Sequence, residues 1–172
     1  MFFLRSGLGF VLAFLALTAG AQTPGRLAQG DADFLHKAAR SGQLEIQASA
    51  LAQKADASAP VKSFAEKMTA DHTKVAVQLE QLAKAKGVTL PTGLDPAQQA
   101  TLDELGKLRG KEFDRRYAQE VGVAAHKKAV ALFEESSKSA ADTDVKAFAS
   151  QTLPALKGHL QMAESLRGQA GS

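Results

Sequence analysis

The chain has 172 residues, with 21 basic and 18 acidic side chains, a formal net charge of +3 and no cysteine. The missing cysteine excludes disulfides, thiolate metal sites and cysteine nucleophiles. Interspersed charges and few aromatics exclude a nucleic-acid footprint.

Residues 1–21 read MFFLRSGLGFVLAFLALTAGA. A basic residue, Arg5, precedes an apolar run from Leu8 to Ala19, and Ala19-Gly20-Ala21 supplies the small-residue pattern of a signal-peptidase site. The run is shorter than the roughly 20 apolar residues of a membrane span. The expectation is a signal peptide cleaved after Ala21 and an exported, soluble, periplasmic protein without integral membrane insertion. A flexible segment, residues 22–30, should precede a bundle domain over residues 31–168, with a disordered tail at 169–172.

Strand-like alternation is absent, and the pattern predicts four long helices and one short one. The first runs from about Asp31 to Lys54 and the second from about Pro60 to Lys86. KGVTLPTGLDP then breaks the periodicity. Asp95-Pro96 reads as an N-cap followed by a proline at the first helical position, opening a short helix over about 96–108. The third long helix covers about Lys111 to Lys138 and the fourth about Asp142 to Arg167. The loops ADASA and SAADT are short and predict antiparallel neighbours. The fold class is all-α: a left-handed, ferritin-like antiparallel four-helix bundle of two hairpins, joined by a long crossover carrying the short helix. VKSFA at 61–65 and VKAFA at 145–149 each open the second helix of a hairpin, as a duplicated hairpin would.

Histidines interrupt the apolar seams of this bundle. His72 stands between Met68 and Val75, His159 between Leu156 and Ala163, and His126 between Val123 and Val130. Glu45 lies eleven residues after Phe34, close to three whole turns, and shares its face. With Val61 and Val145 as equivalent origins, Glu45 is 16 residues before and His72 11 after; His126 is 19 before and His159 14 after. Each pair is level within its hairpin. The hairpins differ by three residues, about 4.5 Å, which a relative slide can absorb. Each long helix therefore brings one donor to mid-bundle: Glu45, His72, His126 and His159. Three imidazoles and a carboxylate suit Zn(II), Fe(II), Cu(II) or Mn(II). The competing reading is a metal-free polar core in which the carboxylate is satisfied by the histidines.

Asp71, beside His72, is a ligand, a partner to a ligand or merely a neighbour. His36 is expected in solvent beside Lys37, Asp114 to complement the start of its own helix, and Tyr117 to pack in the core. Pro154 should kink the fourth helix and free the carbonyl of Ser150.

The stretches DADFLHKAARSGQLEIQ, VKSFAEKMTADHTK, FDRRYAQEVGVAAHKKAV and LPALKGHLQMAE resemble the bacterial domain of unknown function 4142 family. Its members are often labelled outer membrane proteins and look like the ferritin-like four-helix class. The resemblance implies that Glu45, His72, His126 and His159 fall where that class keeps its metal-facing residues. Di-iron members place Glu three residues before two histidines; here Thr69, Val123 and Leu156 occupy those positions. That departure argues against a di-iron oxidase and, more broadly, against an enzyme, and no segment has the alternation of an outer-membrane barrel. The functional expectation is an exported bundle holding a divalent transition metal. An interaction or stress-associated module is the alternative, and a ferritin-like redox enzyme comes last.

Overall fold

A computed structural model describes residues 27–170. The expected signal peptide with its cleavage site, residues 22–26, and residues 171–172 of the expected tail lie outside the described residues. Within them the protein is all helix: α1 (Gln29–Ala52), α2 (Ala59–Ala85), α3 (Pro96–Lys107), α4 (Gly110–Tyr117), a π-helical segment (Ala118–Ala125), α5 (His126–Ser139) and α6 (Thr143–Ala170). The last four follow the chain order expected for the second hairpin. Helix α1 begins two residues before the expected start at Asp31, and α6 continues to Ala170, through Pro154 and into the expected tail.

The helix ends show which way each element runs. At one end, called upper here, Gly110 donates its amide to the carbonyl of Ala55 (2.8 Å), bringing the start of α4 onto the α1–α2 loop. At the lower end the start of α1 meets the α5–α6 loop through Asp31. Lys86, at the end of α2, bridges Asp142 (2.7 Å) and Asp144 (2.6 Å). So α1 and α6 run upward, while α2 and the stretch from α4 to α5 run downward.

The connection from α2 must therefore climb the full height of the bundle. Helix α2 ends in a Schellman motif: the amide of Val88 bonds the carbonyl of Ala83 and that of Gly87 bonds Lys84. Gly87 carries a φ of +67° there, which a residue with a Cβ adopts at a cost. The chain then climbs along α1. His36 donates to the carbonyl of Thr89 (3.1 Å) and Gln43 to that of Pro91 (2.9 Å). His36 is thus half-buried and bonded to the crossover, not simply solvated as its neighbour Lys37 suggested. The Asp95 capping box with Gln98 starts α3 as expected, and Leu105 of α3 is fully buried against the core.

Two aspartates cap helices other than their own. Asp114 of α4 is buried and accepts the Ser58 amide with both carboxylate oxygens (3.1 and 3.2 Å) at the start of α2. The expectation that it serves its own helix is corrected: it sits on the second turn of α4, whose first amides are already past, while Ser58 makes no side-chain cap of its own. Asp31 of α1 does the same for α6, accepting from Ala141 (3.2 Å) and Asp142 (2.7 Å).

The core is divided into two clusters. The upper one holds Phe64, Met68, Phe113, Tyr117, Val121 and Leu166; the lower one holds Phe34, Leu35, Leu79, Phe133, Val145 and Leu156. Val61 lies in the upper and Val145 in the lower, so the two copies of VKxFA start at opposite ends. Buried polar side chains occupy the waist between the clusters.

Candidate metal centre

The waist is built from one residue of each long arm. Glu45 comes from α1, His72 from α2, His126 from the junction of the π-helical segment with α5, and His159 from α6. All four are at most 4% exposed. The imidazole rings form a nearly equilateral triangle, with centroids 5.3, 5.5 and 5.6 Å apart. One nitrogen of each ring lies within 4.8 Å of the others. The two-hairpin height argument thus holds to within a side chain's reach, and the structure brings together all four residues picked from the seams.

Two of the rings are oriented by a second contact. The Nδ1–H of His126 donates to the carbonyl of Val121 (3.1 Å), a buried bond. A carbonyl only accepts, so Nδ1 carries the proton and Nε2 turns its lone pair into the waist. That contact depends on the π-helical turn: the backbone amide of His126 goes to Val123, and Val121, five residues back, is within reach of the ring. Such wide turns recur at functional sites. His159 donates Nε2–H to Asp71 (3.0 Å), leaving Nδ1 facing inward. Of the three roles open to Asp71, the structure shows it bonded to His159 across α2 and α6, with Lys67 donating to the same oxygen, Oδ2 (2.8 Å).

Glu45 closes the set. Its Oε2 lies 2.5 Å from His72 Nε2 and 3.7 Å from His126 Nε2, and Ser41 donates to Oε1 at 3.4 Å. The close approach makes Glu45 and His72 an ion pair, and each helps to hold the other's charge. His126 Nε2 and His159 Nδ1 are buried with no hydrogen-bond partner, and Glu45 Oε2 and His72 Nε2 are buried against each other. Two unpartnered nitrogens beside a buried ion pair are costly. A bound cation would satisfy all four, so the residues fit a metal ion.

The electrostatics agree with a shared charge. Burial pushes the Glu45 carboxyl up, but the surrounding imidazoles, His72 foremost, outweigh it and hold the group below its ordinary value. Burial pushes His72 down, yet Glu45 outweighs that and raises it. His159 is lowered, mainly by burial and then by the other two rings, against the pull of Asp71. Above the centre, Tyr117 hydrogen-bonds Ser49 (2.8 Å), and burial raises its phenol well above the ordinary range.

A family described as Domain of unknown function (DUF4142) matches residues 16–166. The chain belongs to this family. Comparison with curated proteins gave no match. Two solved structures share the fold of this DUF4142 protein at 15% identity. One is a DUF305 fragment from Deinococcus radiodurans (TM-score 0.73), covering 83% of this chain and 98% of that one. The other, a "putative secreted protein DUF305" from Streptomyces coelicolor, has a TM-score of 0.69 and covers 83% and 94%. No helix among the described residues of the DUF4142 chain is long and apolar enough to cross a membrane.

Four features of the site were not anticipated: the π-helical turn, the Val121 carbonyl, the Ser41 contact and the Ser49–Tyr117 bond. The first had a sequence signal. Fifteen residues separate Phe34 from Ser49, but sixteen separate Tyr117 from Phe133. These pairs occupy matching places at the two ends, because Phe34 packs on Phe133 while Tyr117 bonds Ser49. The second hairpin thus carries one surplus residue between Tyr117 and Phe133, the stretch that contains the π-helical segment.

Proposed function

We propose that the protein is an exported metal-binding bundle with ferritin-like topology, acting in the periplasm without catalysis. His72, His126 and His159 hold one divalent transition metal ion, with Glu45 as the fourth donor and Asp71 orienting His159. The observation that carries this reading is the set of four converging buried donor atoms, two of them, His126 Nε2 and His159 Nδ1, without any partner. The imidazole majority favours Zn(II), Cu(II) or Fe(II) over Mn(II), which prefers oxygen. The bound ion supplies a charge that offsets the buried carboxylate and, where its coordination stays open, a Lewis-acid position. The export assignment rests on residues 1–21.

Elemental analysis of untagged protein, followed by calorimetric titration with the four ions, tests this. A metal that binds only the folded chain should stabilise it by about 2.7 kcal/mol at a hundredfold excess over its dissociation constant. His72→Ala or His159→Ala should remove that gain, and His36→Ala should leave it. A second reading, a metal-free polar core, draws on the Glu45–His72 ion pair. Melting temperatures indifferent to all four ions and to chelator would establish it and end the first.

A further inference from the structure

A pocket of about 320 Å³ lies outside the metal centre, between α1, the start of α3 and the π-helical segment with α5. Its walls carry three cations: Lys37 and Arg40 from α1 and Lys128 from α5. None of the three forms an ion pair among the described residues. Arg40 is half-buried, and its Nε is shut off from solvent with no acceptor. Two carboxylates share the walls. Asp95 is occupied in capping the amide of Gln98 (2.8 Å), which leaves Glu120 against three cations. The floor is apolar, from Leu44, Ala129 and Leu132, and the Thr101 hydroxyl in the wall is already donated to the carbonyl of Ala97 (3.1 Å).

We propose that this pocket binds a small organic anion: a carboxylate on a short apolar body, with Arg40 and Lys128 holding the carboxylate and the body lying on Leu44 and Leu132. The volume lies at the small end of ligand sites, and an apolar floor with a few convergent polar groups is their usual build. Planar guanidinium and carboxylate match as a two-bond pair. The pocket shares the wall residue Ser41 with the metal centre, where its hydroxyl donates to Glu45, but neither Arg40 nor Lys128 is one of the four metal donors.

Benzoate is the probe, with benzyl alcohol as its neutral counterpart and inorganic phosphate as an anion without the apolar body. Amide chemical shifts of the isotope-labelled protein are followed during titration. Benzoate should move Thr101, Ala124 and Lys128 saturably at millimolar concentration, and benzyl alcohol should bind at least tenfold more weakly. Arg40→Gln, which removes the two-bond pair, should weaken benzoate at least tenfold. Lys128→Gln, on an exposed side chain, should weaken it too, and serves if the Arg40 variant folds poorly. Lys67→Gln, remote from the pocket, should not. Benzoate that shifts nothing there, phosphate that binds as well as benzoate, or equal binding by both pocket variants would each overturn the proposal.

Discussion

The two ends of the bundle are near-copies that do different work. At the lower end Phe34 packs on Phe133 (5.0 Å) and Phe148 (6.3 Å), an entirely apolar cluster. At the upper end Tyr117 takes the place of Phe34, Phe64 that of Phe148 (6.2 Å from the Tyr117 ring), and Ser49 that of Phe133. Replacing Phe by Tyr brings a hydroxyl that must find a partner once buried, and Ser49 provides it. The π-helical segment and the close approach of α6 also belong to the upper end. The lower end supplies packing; the upper end supplies packing and the register of His126. A stabilising half and a positioning half follow from one repeated hairpin.

The largest separation of the two should come from Phe133→Ala. Truncating this buried ring should cost about 3–5 kcal/mol, read by chemical denaturation, while metal affinity measured under native conditions stays within a few-fold. A loss of metal binding in fully folded Phe133→Ala would show that the lower end also positions the donors.

Next come the exchanged caps. Asp31→Ala and Asp114→Ala each remove a buried carboxylate that accepts backbone amides of another helix. Each should destabilise by about 2 kcal/mol, and by similar amounts if the ends are equivalent. Unequal losses would show that the pseudo-repeat does not extend to the loops.

Gly122→Ala tests positioning alone. A Cβ at Gly122 would stand 3.2 Å from Cβ of Ala163 on α6, four residues beyond His159. The expected stability loss is about 1 kcal/mol, at the low end for overpacking, but metal affinity should fall at least tenfold as α6 and His159 move away. Equal affinity for both proteins would separate the π-helical contact from the centre.

The smallest effect is the pH response of the metal-free protein. The raised His72 contributes stability that is full below its ordinary value of 6.5 and fades as pH rises through the higher folded value. The lowered Glu45 contributes stability that is full above its ordinary 4.5 and fades as pH falls through the lower folded value. The pair therefore favours the metal-free fold most between 4.5 and 6.5. Metal must displace the proton of His72, so its affinity should climb with pH across the raised value. Glu45→Gln should flatten the metal-free profile; an unchanged profile would assign the pH response to other groups.

Much of this was legible in the chain. The helices, the crossover and the level of Glu45, His72, His126 and His159 followed from period and loop length, because seam positions in a bundle are fixed by the rise per residue. Other features depended on partners distant in sequence. Asp114 looks like a helix-start aspartate, and only the folded topology sets it against Ser58, 56 residues away. His36 looked solvated because the path of the crossover over α1 is set by irregular backbone, which periodicity does not describe. The roles of Asp71 and Val121 depend on side-chain rotation and on a helix turn one residue too wide.

That wide turn means the centre is controlled by chain length as well as by residue identity. Deleting one residue from Ala118–Ala125 would let the segment relax to an ordinary α-helix, turning everything on one side of it by about 100° relative to the other. Either His126 would swing out of the waist, or Tyr117 and Asp114 would leave their places in the upper end. No histidine need be replaced to switch the donor set off. By the same reasoning, a single inserted residue is enough to turn a latent seam histidine inward, so a bundle of this kind can gain or lose a metal centre by one codon of length with all its would-be donors already present.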